Sequence, residues 1–208
     1  MASGELTLLQ LRDLSKQEAD MVNSQFVSDS EWNRYINQSY FELYDLLISK
    51  YGDDYYIKNP PYTFVTDGVN YLFALPTDFY KLTGADLALS NTNDSWVTLH
   101  RFNMSDRNRY AVPNFQSFYG ITNMRYRLSG NNLWITPIPA ANQTIRVWYV
   151  PRMVELSADG DVADGVSGWL EYVVVDAAIK AKDKQESDVS VLMARKAALI
   201  SRIEAMGS

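Results

Sequence analysis

Residues able to do acid–base or metal chemistry are few and scattered in this chain of 208 residues. General acid–base catalysis needs a poised imidazole, or two carboxyls whose surroundings push their pKa values apart. Histidine occurs once, as His100 beside Arg101. That pair reads as a strand end, where a structural or surface role fits better than catalysis. Cysteine is absent, which excludes disulfides and thiolate metal sites and suits assembly in a reducing cytoplasm. The run Asp159-Gly160-Asp161-Val162-Ala163-Asp164-Gly165 resembles the start of a calcium loop. Its fifth position is Ala163, its sixth is Asp164 where glycine makes the turn, and its twelfth is Leu170 where a bidentate glutamate is needed. A solvated loop leading into a helix is the better reading, with Asp164 available as a cap. Gly165-Val166-Ser167-Gly168 lacks the spacing of a nucleophile elbow, and Ser167 reads as an N-cap. Neither type of glycine-rich phosphate loop occurs, and Asp53-Asp54 beside Gly52 reads as the solvated end of a helix. No catalytic, cofactor-binding or metal site is expected, and the chain is not read as an enzyme.

The arginines carry a stronger signal. Between Ser95 and Arg152 the sole acid is Asp106, set against Arg101, Arg107, Arg109, Arg125, Arg127, Arg146 and Arg152. Phe102, Tyr110, Phe115, Phe118, Tyr119, Tyr126, Trp134 and Trp148 interleave with them. Arginine with aromatics serves nucleic-acid binding, and equally serves as the anchors of protein interfaces. The net charge of the whole chain is −6. Residues 1–58 are acidic, with ten acids against five bases, and residues 165–208 are balanced. Contact with a neighbouring subunit or another protein partner therefore ranks above specific DNA recognition. A solvated sheet face over an aromatic core is the plainer alternative. Strand alternation puts Arg125 and Arg127 on one face and Tyr126 on the other.

The elements that would position these residues follow from periodicity. Leu6, Leu8, Leu9, Leu11, Leu14 and Met21 predict a helix from about Thr7 to Met21. Ser28-Asp29-Ser30-Glu31 is a capping box, and Trp32, Tyr35, Ile36, Leu43, Leu46 and Leu47 continue as a long amphipathic helix that Gly52 stops. Beyond Asn59-Pro60-Pro61 the period shortens to two. Tyr62–Val65 and Tyr71–Leu75 flank Asp67-Gly68, which predicts a hairpin. Further strands are predicted at 80–89, 95–99, 124–129, 133–136 and 144–150. Gly130-Asn131-Asn132 would turn one pair and Ala140-Ala141-Asn142 another. Residues 104–110 read as a short helix and 111–121 as an exposed loop. Helical spacing returns at 167–184, where Val173, Val174 and Val175 need strong packing to stay helical. Ser187-Asp188 starts a last helix.

The chain is 47% hydrophobic, enough for a real core, and its length allows one domain or a domain with an insertion. No run approaches the roughly 20 apolar residues of a membrane span, and Met1 to Leu11 does not read as a leader. The chain reads as soluble and unsecreted. The fold class is α+β: a helical bundle body formed by the N- and C-terminal helices, with a β-rich central insertion. The segments are 1–58, 59–164 and 165–208.

Several stretches resemble the head-to-tail adaptor (connector) proteins of tailed bacteriophages. They are Trp32-Asn33-Arg34-Tyr35-Ile36-Asn37, Glu42 to Leu47, Tyr51-Gly52-Asp53-Asp54-Tyr55 and Ala74-Leu75-Pro76-Thr77-Asp78-Phe79-Tyr80-Lys81-Leu82. Trp148-Tyr149-Val150-Pro151 and Gly168 to Ala178 extend the resemblance across nearly the whole chain. It implies a structural virion protein of the neck, made in the host bacterial cytoplasm and assembled as a ring, commonly of twelve copies, with no cofactor and no membrane. The ring would join the portal protein to tail or nozzle proteins and let DNA pass through its lumen. Leu192, Met193 and Leu199 with Arg195, Lys196 and Arg202 are the candidate portal contacts, and the three apolar residues fit intramolecular core at least as well. Arg101, Arg107, Arg109, Arg125, Arg127 and Arg146 are the candidate subunit or tail contacts. A tail-tube or nozzle protein is one alternative. A nucleic-acid-binding module built on the central arginines and aromatics is the other.

Overall fold

The computed structural model describes residues 5–89, 95–110, 124–163 and 169–206. It is an α+β protein in two compact units, one of residues 1–55 and 153–208, the other of residues 56–152.

The first unit is helical. Helix α1 spans Leu8–Glu18 and α2 spans Asp29–Tyr51. After the return of the chain come α4, Leu170–Lys184, and α5, Ser190–Met206. At 23 residues, α2 is roughly 34 Å long. Its start is as the sequence predicts: Ser28 accepts from the Glu31 amide while the Glu31 side chain accepts from the Ser28 amide. Two amides that the first turn leaves unpaired are thereby satisfied. Thr7 and Gln10 form the same reciprocal box at α1. Gly52, at φ +90°, ends α2 in a backbone region that side-chain-bearing residues avoid. Ser167 and Asp164, expected as caps, lie outside the described residues.

Helices α1, α2 and α5 all pack on α4. This central position explains how α4 tolerates Val173, Val174 and Val175: all three are buried, and packing outweighs their modest helix propensity. Trp32, Ile36, Leu43 and Leu47 from α2 and Leu8 and Leu11 from α1 complete the core. A two-residue ladder pairs β1, Leu6–Thr7, with β10, Val162–Ala163. Asn37 on α2 clamps the returning chain, its amide donating to the Leu156 carbonyl and its oxygen accepting from the Leu156 amide, both at 2.8 Å.

The second unit has two four-stranded sheets around one core. The first runs β2 (Tyr62–Asp67), β9 (Ala141–Pro151), β4 (Phe79–Ala88), β5 (Trp96–Thr98). The second runs β3 (Leu72–Ala74), β8 (Asn132–Thr136), β7 (Arg125–Ser129), β6 (His100–Arg101). A 3-10 turn, Met104–Asp106, leads into α3, Arg107–Tyr110. Leu82, Ala85, Leu87, Ile145 and Val147 from the first sheet meet Tyr126, Leu133 and Ile135 from the second. β8 and β9 contribute alternate residues, as half-buried strands must, while in β4 a register shift between Leu82 and Gly84 breaks the alternation.

Gly130, at φ +58°, turns β7 into β8, with Ser129 opposite Asn132, as expected. The other two turn predictions are corrected. Tyr62–Val65 and Tyr71–Leu75 are not a hairpin: β2 pairs with β9, and β3 pairs with β8. The Asp67 carboxylate accepts from the amides of Val69 and Asn70, so Asp-Gly makes an Asx-stabilised crossing between sheets rather than a two-residue turn. Phe64 and Phe73 then stack at 4.7 Å against the shared core. Ala140-Ala141-Asn142 does not return β8 onto β9 either, because β9 begins there and lies between β2 and β4. Residues 111–121, expected as an exposed loop, lie outside the described residues.

Candidate interaction surfaces

The arginines of the second unit divide into two groups. Arg146 is structural. Its Nε donates to Asp86 Oδ2 at 2.7 Å, and Trp148 Nε1 donates to the same oxygen at 2.7 Å. Its guanidinium lies 4.1 Å from the Trp96 ring centroid and 5.2 Å from that of Trp148. Asp86 is buried. Burial pushes its carboxyl up, but hydrogen bonds from Arg146, Trp148 and Thr98 outweigh that and hold it below the usual carboxylate range.

Of the other candidates, Arg101, Arg125 and Arg127 lie in strands of the second sheet and Arg107 and Arg109 in α3. Arg101 donates to the Leu82 carbonyl and the Tyr126 hydroxyl. Arg107 donates to the Met104 carbonyl, and the Arg125 guanidinium stands 5.4 Å from the Tyr110 ring centroid. Arg125 and Arg127 are half-buried on one face while Tyr126 is buried on the other, as strand alternation predicts. Arg101, Arg107 and Arg109 are exposed. None of these five makes an ion pair among the described residues. His100 is exposed and sits in the parallel register opposite Arg125.

Beside them is an open groove of about 350 Å³ lined by Tyr71, Trp134, Pro137 and Ile138, with Arg107 and Asn108 on its wall. Trp134 lies across from Leu72 on one side and Arg127 on the other, and its ring is 5.5 Å from Tyr71. Arg125, Arg127 and the half-exposed Trp134 thus share one side of the second sheet, the composition of a protein contact surface, while Arg101 stands with Tyr126 on the other.

In the helical unit, most of the residues expected at the portal are engaged within the chain. Leu192 and Leu199 are buried, and Met193 is 56% exposed. Arg195 pairs with Glu18 and Glu171. Lys196 donates to Asp176 at 2.6 Å and approaches Glu42 at 3.4 Å. The Arg202 guanidinium lies 4.6 Å from the Trp169 ring centroid. Asp176 is buried at 2% exposure. Burial raises its pKa, and hydrogen bonds from Lys180, Lys196 and Ser39 overcome this and lower it.

Sequence reading gave no role to Asp86, Asp176, Asn37 or Arg12. Arg12 is buried at 6% and meets Asp159 at 3.0 Å and Asn33 at 3.1 Å. Asp176 offered a signal, a carboxylate with Tyr172, Val173 and Ile179 three and four residues away, whereas Arg12 and Asn37 stand in rows that already hold polar residues. Asp161, in the calcium-like run, accepts from the amides of Ser157 and Ala158 and so closes its own loop. Among the described residues no group of three or more His, Asp or Glu converges as a metal would require. No helix among them is long and apolar enough to cross a membrane.

A family model for the SU10 adaptor protein matches residues 6–207. The chain belongs to that family, a family of phage head–tail adaptors, and is a structural component of the virion at the head–tail junction. No curated protein matches it.

Proposed function

We propose that this chain forms a ring, of about twelve copies by the family resemblance, that joins the portal to tail or nozzle proteins and lets DNA pass through its lumen. The observation that carries the reading is the family match over residues 6–207. The arrangement of charge supports it. Head-to-tail contacts that close a ring need two different complementary faces on one subunit. Arg125 and Arg127 share one face of β7, with Arg107 on the wall of the groove beside Trp134, and none of the three has a carboxylate partner among the described residues. Residues 1–58 carry twice as many acids as bases. Glu18, Asp29, Glu31 and Glu42 are paired within the chain, so the acidic side of such a contact falls to exposed residues such as Asp13 and Asp20. Complementary charge of this kind fixes register and speeds encounter more than it adds affinity. Arg146 leaves the list of contacts, since its charge is already spent on Asp86.

The portal side is assigned to α5. With α5 docked on the bundle, Met193 is its most accessible apolar candidate, and the charged candidates Arg195 and Lys196 are paired internally. The β unit is assigned to subunit neighbours and tail parts.

The test is to mix the purified chain with its portal protein and image the product. Rings seated on the portal are expected. A chain that stays monomeric and never joins a portal ring refutes the reading, and capture by tail protein alone moves it to a tail-tube part. Arg125→Glu with Arg127→Glu should impair ring formation, and unchanged rings would remove these two from the subunit contact. Salt-sensitive DNA affinity centred on the same arginines would favour the nucleic-acid reading instead.

A further inference from the structure

We propose that α5 is a detachable arm of the helical unit, hinged at Gln185–Val189, which leaves the bundle as one piece without orphaning a buried charge. This is a property of the free chain and does not depend on what α5 docks against.

The attachment is narrow. Of the residues of α5, Leu192, Leu199 and Ile203 are buried, whereas α4 is buried around most of its circumference, from Leu170 to Ala181. The remaining ties of α5 are polar and mostly at the surface: Arg195 with Glu18 and Glu171, Glu204 with Lys50 at 2.9 Å, and Arg202 against Trp169. Exposed pairs of this kind hold weakly and are screened by salt.

One tie should be strong. Lys196 meets the buried Asp176, and removing one partner of a buried ion pair is ordinarily costly because the other charge is left alone. Here it is not left alone. Lys180, one turn along α4 from Asp176, also donates to Asp176, and reaches Glu42 at 2.9 Å. Both carboxylates that Lys196 touches therefore keep Lys180 when α5 departs. Lys196 itself moves into water, where its charge is well solvated.

The hinge is equally self-sufficient. The amides of Gln185, Glu186 and Ser187 donate back to Lys182 and Asp183 carbonyls, and Glu186 takes φ +57°. This closes α4 using its own last turn. The Asp188 carboxylate accepts from the Ser190 amide and hydroxyl, which caps α5 from within its own linker. Separation of the two helices uncaps neither.

Amide hydrogen exchange on the intact chain, at low and high salt, tests this. The α5 amides should open together, roughly 100-fold more often than those of α2 and α4, and more often still at high salt. Lys196→Met should speed α5 exchange several-fold and leave α4 unchanged. Lys180→Met should do the opposite and slow α5 toward α4, because release of α5 would then strand Asp176. Exchange of α4 and α5 at one common rate in both salts overturns the proposal, as does an equal effect of the two variants. Should Lys180→Met fail to fold, the comparison of α4 with α5 in the unaltered chain decides alone.

Discussion

Replacing Arg146 by Met should destabilise the β unit by about 2–4 kcal/mol, near the range for breaking a buried ion pair from one side. Asp86 has 7% of its side chain exposed and Arg146 has 26%. Loss of the guanidinium leaves the carboxylate with Trp148 and Thr98 as donors, in a place where water reaches poorly. The quarter of Arg146 that is open to solvent lets some water follow, which keeps the estimate below the upper limit of about 5 kcal/mol for a fully enclosed pair. Met keeps an unbranched apolar stem and removes the cation from the faces of Trp96 and Trp148, a further loss of about 0.5–1 kcal/mol at each partly exposed contact. Asp86→Asn keeps the shape and should cost less, because the cation left behind is the more exposed partner. The double variant should cost clearly less than the two singles added, with a coupling of about 1–3 kcal/mol. Urea unfolding followed by tryptophan fluorescence measures all three, supplemented by amide exchange in β4 and β9 because two units need not unfold together. A loss under about 1 kcal/mol for Arg146→Met, or strict additivity in the double variant, refutes the argument that this arginine holds the sheet together.

Gly68→Ala should cost about 1–3 kcal/mol, since Gly68 has φ +80° and an added Cβ would stand 3.0 Å from the Ala141 amide nitrogen and 3.1 Å from its Cβ; thermal unfolding checks it, and Gly160→Ala, with nothing within 4 Å, serves as the control. Asn37→Ala strips both partners from the Leu156 backbone and should cost about 1–3 kcal/mol by leaving part-buried polar groups unpaired, read as faster exchange at the Leu156 amide. Asp86, Asp176 and Glu31 all have folded pKa values below their ordinary ones, so their contribution is fully present above the unfolded value and is lost as pH falls through the folded one. For Glu31 that window runs from 4.5 down to about 2, set first by its hydrogen bond from Lys184; acid titration of stability should be flatter there in Glu31→Gln, and an unchanged curve would count against the Lys184 pair.

What the sequence determined by itself was local. Ser28 and Glu31 declare the start of α2 because capping chemistry involves residues three apart, and Gly130 declares the β7–β8 turn because a positive φ suits it there. The α+β class follows from the change of period, and the scarcity of reacting groups is plain in composition. The adaptor family is carried by apolar and aromatic patterns along the chain, and the match over residues 6–207 agrees with it.

Only the tertiary structure decided which strands meet and which charges are free. Asp67-Gly68 has the form of a hairpin turn, yet β9, eleven residues long, pairs on one edge with β2 and on the other with β4, and sheet membership is settled by such long-range pairing. The same holds for the cations. Arg146 and Arg127 look alike in sequence, but Asp86, 60 residues before Arg146, makes one a paired structural group and leaves the other without an ion pair among the described residues. Lys196 and Arg195 read as outward contacts until Asp176, Glu171 and Glu18 fold against them. A charge is available to a partner only if nothing nearer has neutralised it, and nearness is a property of the folded chain.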